Sequence, residues 1–153
     1  MTLTWQTLTF AQLNTLELYT LLRLRVAIFV VEQNCAYPEL DGKDTHPDSR
    51  HLLGYDADGT LVAYARLLPP GLSYPQPSIG RVAIDHTQRG SGLGHHLIQE
   101  ALSQTQKAWP AQDIQIGAQL YLQTFYERHG FMAVSGPYLE DDIPHIDMIK
   151  PHA

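Results

Sequence analysis

The sequence predicts a mixed α/β domain wrapped around one central sheet, and three observations carry that expectation. Apolar residues recur at helical spacing in some segments and at strand spacing in others. Stretches rich in Pro, Gly and Asp separate these segments. The resulting order is a strand, one or two helices, three strands, a helix, a strand, a helix and two strands, which no all-α or all-β architecture accommodates.

Each element has a local reason. Thr4 to Phe10 reads as a first strand. Leu13, Leu16, Tyr19, Leu21, Leu22 and Leu24 then share a helical period that ends near Arg25. Ile28 to Gln33 forms a second short segment, helical or extended. Ala36 to Arg50 is a loop by composition. His51 to Tyr55 and Leu61 to Leu68 flank Asp56-Ala57-Asp58-Gly59-Thr60 and make a hairpin. Four prolines and a glycine between Pro69 and Pro77 enforce another loop. Ile79 to Ile84 is a strand. Leu93, Leu97, Ile98, Ala101 and Leu102 give a helix closed by Trp109-Pro110. Asp113 to Gly117 is a strand, and Leu122, Phe125, Tyr126 and His129 mark a helix stopped by Gly130. Phe131 to Val134 and Ile143 to Ile149 are the final strands.

The 153 residues fit one domain, 1–153. A net charge of −6 with scattered Lys and Arg argues against nucleic acid as a partner. Cys35 is the single cysteine, so no internal disulfide forms. The start carries no basic segment followed by an apolar core, and no apolar run reaches the ~20 residues that span a bilayer. The expectation is a cytoplasmic protein without a membrane partner. His95 and His96 are adjacent, point to different helix faces and make a poor metal pair; no metal is expected.

Chemistry concentrates where Arg81-Val82-Ala83-Ile84 passes through Asp85-His86-Thr87-Gln88 into Arg89-Gly90-Ser91-Gly92-Leu93-Gly94. Glycines turn the backbone tightly and let its N–H groups approach a ligand. The helix that follows begins with N–H groups lacking internal partners, and its dipole favours an anion such as a pyrophosphate. Arg89 adds a cation. No Gly-Lys-Ser/Thr ending supports a Walker loop, and the glycine spacing of two and two is not that of a dinucleotide turn. Taken alone, the turn serves a tight strand-to-helix connection as well as it serves a phosphate. Ser91 lies outside a Gly-x-Ser-x-Gly elbow, which sets a serine hydrolase aside.

Arg89 to Gly94 resembles the Arg/Gln-x-x-Gly-x-Gly/Ala motif of the GNAT acetyltransferases, and Phe125-Tyr126-Glu127-Arg128-His129-Gly130-Phe131 resembles their Phe-Tyr-x-x-x-Gly-Phe signature. Phe29 to Cys35, Tyr37 to Asp44, Arg50 to Gly54, Gly117-Ala118-Gln119 and Ile143 to Met148 resemble the ElaA-like branch of that superfamily. The resemblance implies the GNAT fold: a mostly antiparallel mixed sheet of about seven strands, splayed between strands 4 and 5 and flanked by about four helices. It also implies an N-acetyltransferase that takes acetyl-coenzyme A as acyl donor and a small-molecule or peptide amine as acceptor. Such proteins occur as monomers or homodimers.

Carried onto this chain, the resemblance implies that Val82, Ala83 and Ile84 pair through their backbone with the pantetheine arm. One of their N–H groups would face the thioester carbonyl, where charge develops. Gly90, Ser91, Gly92, Leu93 and Gly94 would hold the pyrophosphate beside Arg89. Gln119 stands where many relatives carry Asn, and Asp85-His86 where many carry proline. Tyr126 is implied as general acid to the departing thiolate, since a phenol of pKa ~10 can protonate or hydrogen-bond a thiol of pKa ~8.5; an apolar helix face would equally use it as core.

The general base stays open among Glu32, Asp41, Asp44, His51 and His145, which fall in the ElaA-like segments; turn capping and structural hydrogen bonding are the alternatives for each. A non-catalytic acyl-coenzyme A sensor is the second reading of the whole, and a nucleotide-binding regulator the third.

Overall fold

The computed structural model describes residues 3–152. The chain runs from β1 (Thr4–Thr9) into α1 (Thr15–Val26), which continues as a π-helical turn, Ala27–Glu32. After a long loop come β2 (Arg50–Tyr55), β3 (Leu61–Leu68) and β4 (Ser78–Ile84). The second half is α2 (Leu93–Ala108), β5 (Ile114–Gln119), α3 (Gln123–Glu127), β6 (Met132–Ala133), β7 (Tyr138–Glu140) and β8 (Ile143–Lys150).

Local chemistry sets the boundaries. Asn14 caps α1 reciprocally with Glu17: the Glu17 amide donates to Asn14 Oδ1 at 2.7 Å, and the Asn14 amide donates to Glu17 Oε1 at 2.9 Å. In the β2–β3 turn, Asp56 Oδ1 accepts from the amides of Asp58 and Thr60, while Gly59 takes φ +79°. Every residue of β3 is buried, as its unbroken apolar run requires of a strand covered on both faces.

The eight strands form one sheet in the order β1-β2-β3-β4-β5-β8-β6, with β7 also paired to β8. Every pairing is antiparallel except β4–β5. That parallel contact holds at Ser78 and Gln115 alone, so the two strands part beyond it. Just past the contact β4 carries a bulge: Tyr64 faces Ala83 and Arg66 faces Gly80, three steps on β4 against two on β3. The extra residue is accommodated at Arg81, whose φ of +50° lies in the left-handed region.

Two cores sandwich the sheet. On one face α2 and α3 bring Leu97, Ile98, Ala101 and Tyr126 against Leu52, Val62, Ile116 and Met148. On the other, α1 packs Leu21, Leu24 and Ile28 against Leu53 and Tyr64. The GNAT-type architecture expected from the sequence is present, with two differences of detail. An eighth strand, β7, exists because the turn at Asp141 and Asp142, both at positive φ, folds Tyr138–Glu140 back onto β8. Among the described residues there are three α-helices, and the segment Ile28 to Gln33 continues α1 with wider i→i+5 bonds, Gln33 N to Ile28 O and Cys35 N to Val30 O. Among the described residues no helix is long and apolar enough to cross a membrane.

Candidate functional site

The glycine turn is open. Gly90 and Gly92 take φ +82° and +80°, and nothing lies within 4 Å of where either would carry a Cβ. Gly92 offers α2 no side-chain cap: the amides of Leu93 and Gly94 have no hydrogen-bond partner among the described residues, and the next, His95, donates to the Gly92 carbonyl at 3.2 Å. Asp85 shapes the approach to this turn: its Oδ1 accepts from the Thr87 amide at 3.0 Å and from the Thr87 hydroxyl at 2.8 Å. A side-chain cap thus does here what a proline ring would do by fixing φ. Ser91 turns its hydroxyl back onto the Gln88 carbonyl at 2.7 Å, leaving its amide to the open side.

Arg89 is committed within the chain. Its Nη1 lies 2.6 Å from Glu32 Oε2, and its Nε and Nη2 donate to the Ile84 carbonyl at 3.3 and 3.2 Å. The hydrogen bond from Arg89 holds the Glu32 carboxyl below the ordinary carboxylate range. Both side chains stay substantially exposed, so an anion at the turn can compete for the guanidinium.

Val82, Ala83 and Ile84 line the β4 side of the gap. Ala83 is buried toward α1, while Val82 and Ile84 pack against the α2-side core. Gln119 closes β5 on the opposite edge and donates from Nε2 to Gln33 Oε1 at 3.3 Å. Tyr126, on α3, is 7% exposed and stands edge-on to Phe125 and Phe131. Burial raises its pKa, and its hydroxyl has no hydrogen-bond partner among the described residues. It is both a core aromatic and a free phenol.

The proposed base residues separate into distinct surroundings. His51 is completely buried: Nδ1 lies 2.7 Å from the Tyr64 hydroxyl and Nε2 lies 3.0 Å from the Asp44 carbonyl. A carbonyl only accepts, so Nε2 carries the hydrogen and Nδ1 accepts from Tyr64. Burial pushes its pKa down. Neither nitrogen is available to an acceptor.

Asp44 and Asp41 belong to an ionic network that the sequence reading missed. Arg25, fully buried, reaches Glu39 at 2.5 Å and Asp44 at 2.6 Å. Arg66 reaches Asp41 at 2.8 Å and Asp44 at 3.2 Å, and Arg81 reaches Glu39 at 2.9 Å. Tyr37 donates its hydroxyl to Glu39. Burial opposes ionisation of Asp41 and Asp44, but Arg66 and Arg25 respectively outweigh it; both carboxyls are lowered, Asp41 to about 2. Three arginines and three carboxylates therefore clamp the loop after the π-helical turn onto β3 and the β4 bulge. The available signal was an arginine inside each apolar run, Leu21 to Ile28 and Leu61 to Leu68, because a buried arginine demands a partner.

His145 is the exception. It faces Gln119 in the β5–β8 register, at the mouth of the gap. Its Nδ1 donates to the Ile143 carbonyl at 2.7 Å, and its Nε2 lies 3.4 Å from Glu140 Oε2, a carboxylate that pairs with the ring once Nε2 takes up a proton. Two residues along β8, Asp147 accepts from the Tyr138 hydroxyl at 2.6 Å beside Gly117. Tyr74, Tyr138 and Asp147 were also missed; only the pairing of β5, β7 and β8 brings them together.

Residues 29–151 match the family described as acetyltransferase (GNAT) domain. Over 146 residues the chain is 44% identical to the protein ElaA of Escherichia coli K12, covering 95% of each. An acyl-CoA N-acyltransferase from Pseudomonas aeruginosa superposes with a TM-score of 0.92 at 46% identity, covering 97% of this chain and 99% of that one. The crystal structure of E. coli ElaA superposes with a TM-score of 0.91 at 42% identity, with the same coverage.

Proposed function

The chain belongs to the GNAT acetyltransferase family, and on that premise we propose that it transfers the acetyl group of acetyl-coenzyme A to a primary amine within a ternary complex. The observation that carries this reading is the uncapped start of α2 behind Gly90 and Gly92, lying beside two strands that part after one contact.

The thioester supplies the acetyl carbon and a thiol leaving group: the amine nitrogen bonds to the carbonyl carbon as the C–S bond breaks, and the proton lost by nitrogen balances the one gained by sulfur. The residues present fit that donor. Amides from Gly90 to Gly94 would hold its diphosphate, with Arg89 exchanging Glu32 for the anion. Backbone groups of Val82, Ala83 and Ile84 would pair with the pantetheine arm, and an N–H freed from the β3 ladder by the Arg81 bulge would stabilise the developing oxyanion. Gln119, held by Gln33, lines the other edge.

Tyr126 gives a proton or a hydrogen bond to the leaving sulfur through its free hydroxyl; the burial that raises its pKa also favours a neutral phenol over a phenolate, so the hydrogen-bonding role is the stronger part. His145 takes the proton from the amine through Nε2. Asp44 and His51 act instead as structural supports, Asp41 pins the loop, and Glu32 serves as the resting partner of Arg89.

Calorimetry with acetyl-coenzyme A, followed by thiol release over an amine panel, tests the reading. Binding and turnover are expected. Tyr126→Phe and His145→Gln should each lower kcat about 100-fold with donor affinity retained. Donor binding without turnover on any amine would favour the sensor reading, and no donor binding would overturn both.

A further inference from the structure

On the face of the sheet that carries His145, two glycines flank the gap. Gly80 and Gly117 lie two residues beyond the single β4–β5 contact, on opposite edges of the opening. Nothing stands within 4 Å of a Cβ placed on Gly80. A Cβ on Gly117 would lie 3.0 Å from the Tyr74 hydroxyl, 3.2 Å from the Tyr138 hydroxyl and 3.8 Å from Asp147 Oδ1. The missing side chain at Gly80 leaves open space on the β4 edge, while the space over Gly117 is taken by the two tyrosine hydroxyls, so three oxygens gather there, at the floor of the opening.

The chemistry of that floor is one-sided. Tyr138 spends its proton on Asp147, so its remaining lone pairs accept. The Tyr74 hydroxyl has no hydrogen-bond partner among the described residues. The nearby cations are engaged elsewhere: Lys43 donates to Ser73 at 2.7 Å, and Arg81 is held by Glu39 and Asp41. Asp147 has no cationic partner among the described residues. Burial, reinforced by the charges of Asp147 and Glu140, pushes Tyr74 up to about 12; burial and the bond to Asp147 push Tyr138 higher as well. Both phenols stay protonated in a field set by carboxylates.

Resting on the acetyl-transfer reading, we infer that Asp147, Tyr74 and Tyr138 hold the distal ammonium of an aliphatic diamine whose other nitrogen is acetylated beside His145. Asp147 and His145 lie on one side of β8, two residues apart, a rise of about 7 Å and about the span of a four- or five-carbon chain. The open space at Gly80, across the parted strands from the oxygens over Gly117, suits such a chain. One ammonium bound at Asp147 aligns the other nitrogen with the gap, so charge and length together select the acceptor.

Pentane-1,5-diamine and pentan-1-amine separate this inference from its premise. The wild type should use the diamine at least about tenfold better in kcat/KM, through KM. Asp147→Asn should erase that preference while acetyl-coenzyme A binds as before. Calorimetry of pentane-1,5-diamine against the coenzyme A complex should lose about tenfold in affinity in the same variant. If Asp147→Asn does not fold, Tyr138→Phe replaces it, with a smaller loss in the same direction. Equal use of the two amines by the wild type, or a preference that the substitution leaves undiminished, overturns the inference and leaves the acetyl-transfer reading standing. Failure to bind acetyl-coenzyme A removes the premise itself.

Discussion

Two regions of the molecule handle concentrated polarity in opposite ways. Beneath the loop after the π-helical turn, Arg25, Arg66 and Arg81 meet Glu39, Asp41 and Asp44, and the charges compensate one another inside the protein. At the turn from Arg89 to Gly94, helix donors stand without partners and without side chains in front of them. Burial explains the difference. A charge removed from water must be neutralised by the chain itself, whereas an exposed row of N–H groups can stay unmet until an anion arrives. Paired groups thus serve as scaffold, and the unpaired ones are where the proposed donor would bind.

That contrast can be broken by substitution. The largest effect is expected from Arg25→Met, which removes the fully buried cation shared by Glu39 and Asp44 and leaves each with one remaining arginine, Arg81 and Arg66. It should cost about 3–5 kcal/mol, read as a large drop in Tm. Arg89→Met, removing an exposed ion pair, should cost less than about 1 kcal/mol in the same measurement. Equal losses would mean that the buried network is not the more tightly coupled of the two.

Gly92→Ala sharpens the comparison from the open side. At φ +80° an added Cβ introduces strain of about 1–2 kcal/mol, although it meets no neighbour. Calorimetry should show acetyl-coenzyme A bound several-fold more weakly. Unchanged affinity would indicate that the turn adapts without help from glycine.

The smallest effect concerns pH. His51 is neutral when folded and its pKa lies below the ordinary value, so between that ordinary value of ~6.5 and its folded pKa the unfolded chain binds the extra proton. Its contribution is therefore complete at higher pH and is lost as pH falls below ~6.5, by at most about 1.4 kcal/mol per pH unit. Urea unfolding at a series of pH values should give a shallower acid slope for His51→Gln than for the wild type. Identical slopes would mean that His51 has the same pKa folded and unfolded.

The glycine turn and Tyr126 were legible because their signals are local: a spacing, a helix start, a short signature. The same is true of the main strands, whose apolar runs fall within one or two residues of their observed ends. His51 and Asp44 were legible as unusual residues, but their surroundings were not, since Tyr64, Arg25 and Arg66 reach them from other elements. Tyr74 and Tyr138 carried no signal at all. One lies in a proline-rich loop and the other on a three-residue strand that exists only because β8 accepts it.

By itself the sequence determined the element order, the α/β class and the position of the glycine turn before α2, because hydrophobic period and glycine placement act over a few residues. The tertiary structure alone decided which polar side chains neutralise one another and which remain free. That choice depends on distances between residues far apart in the chain, and on how much water the packed sheet leaves at each of them.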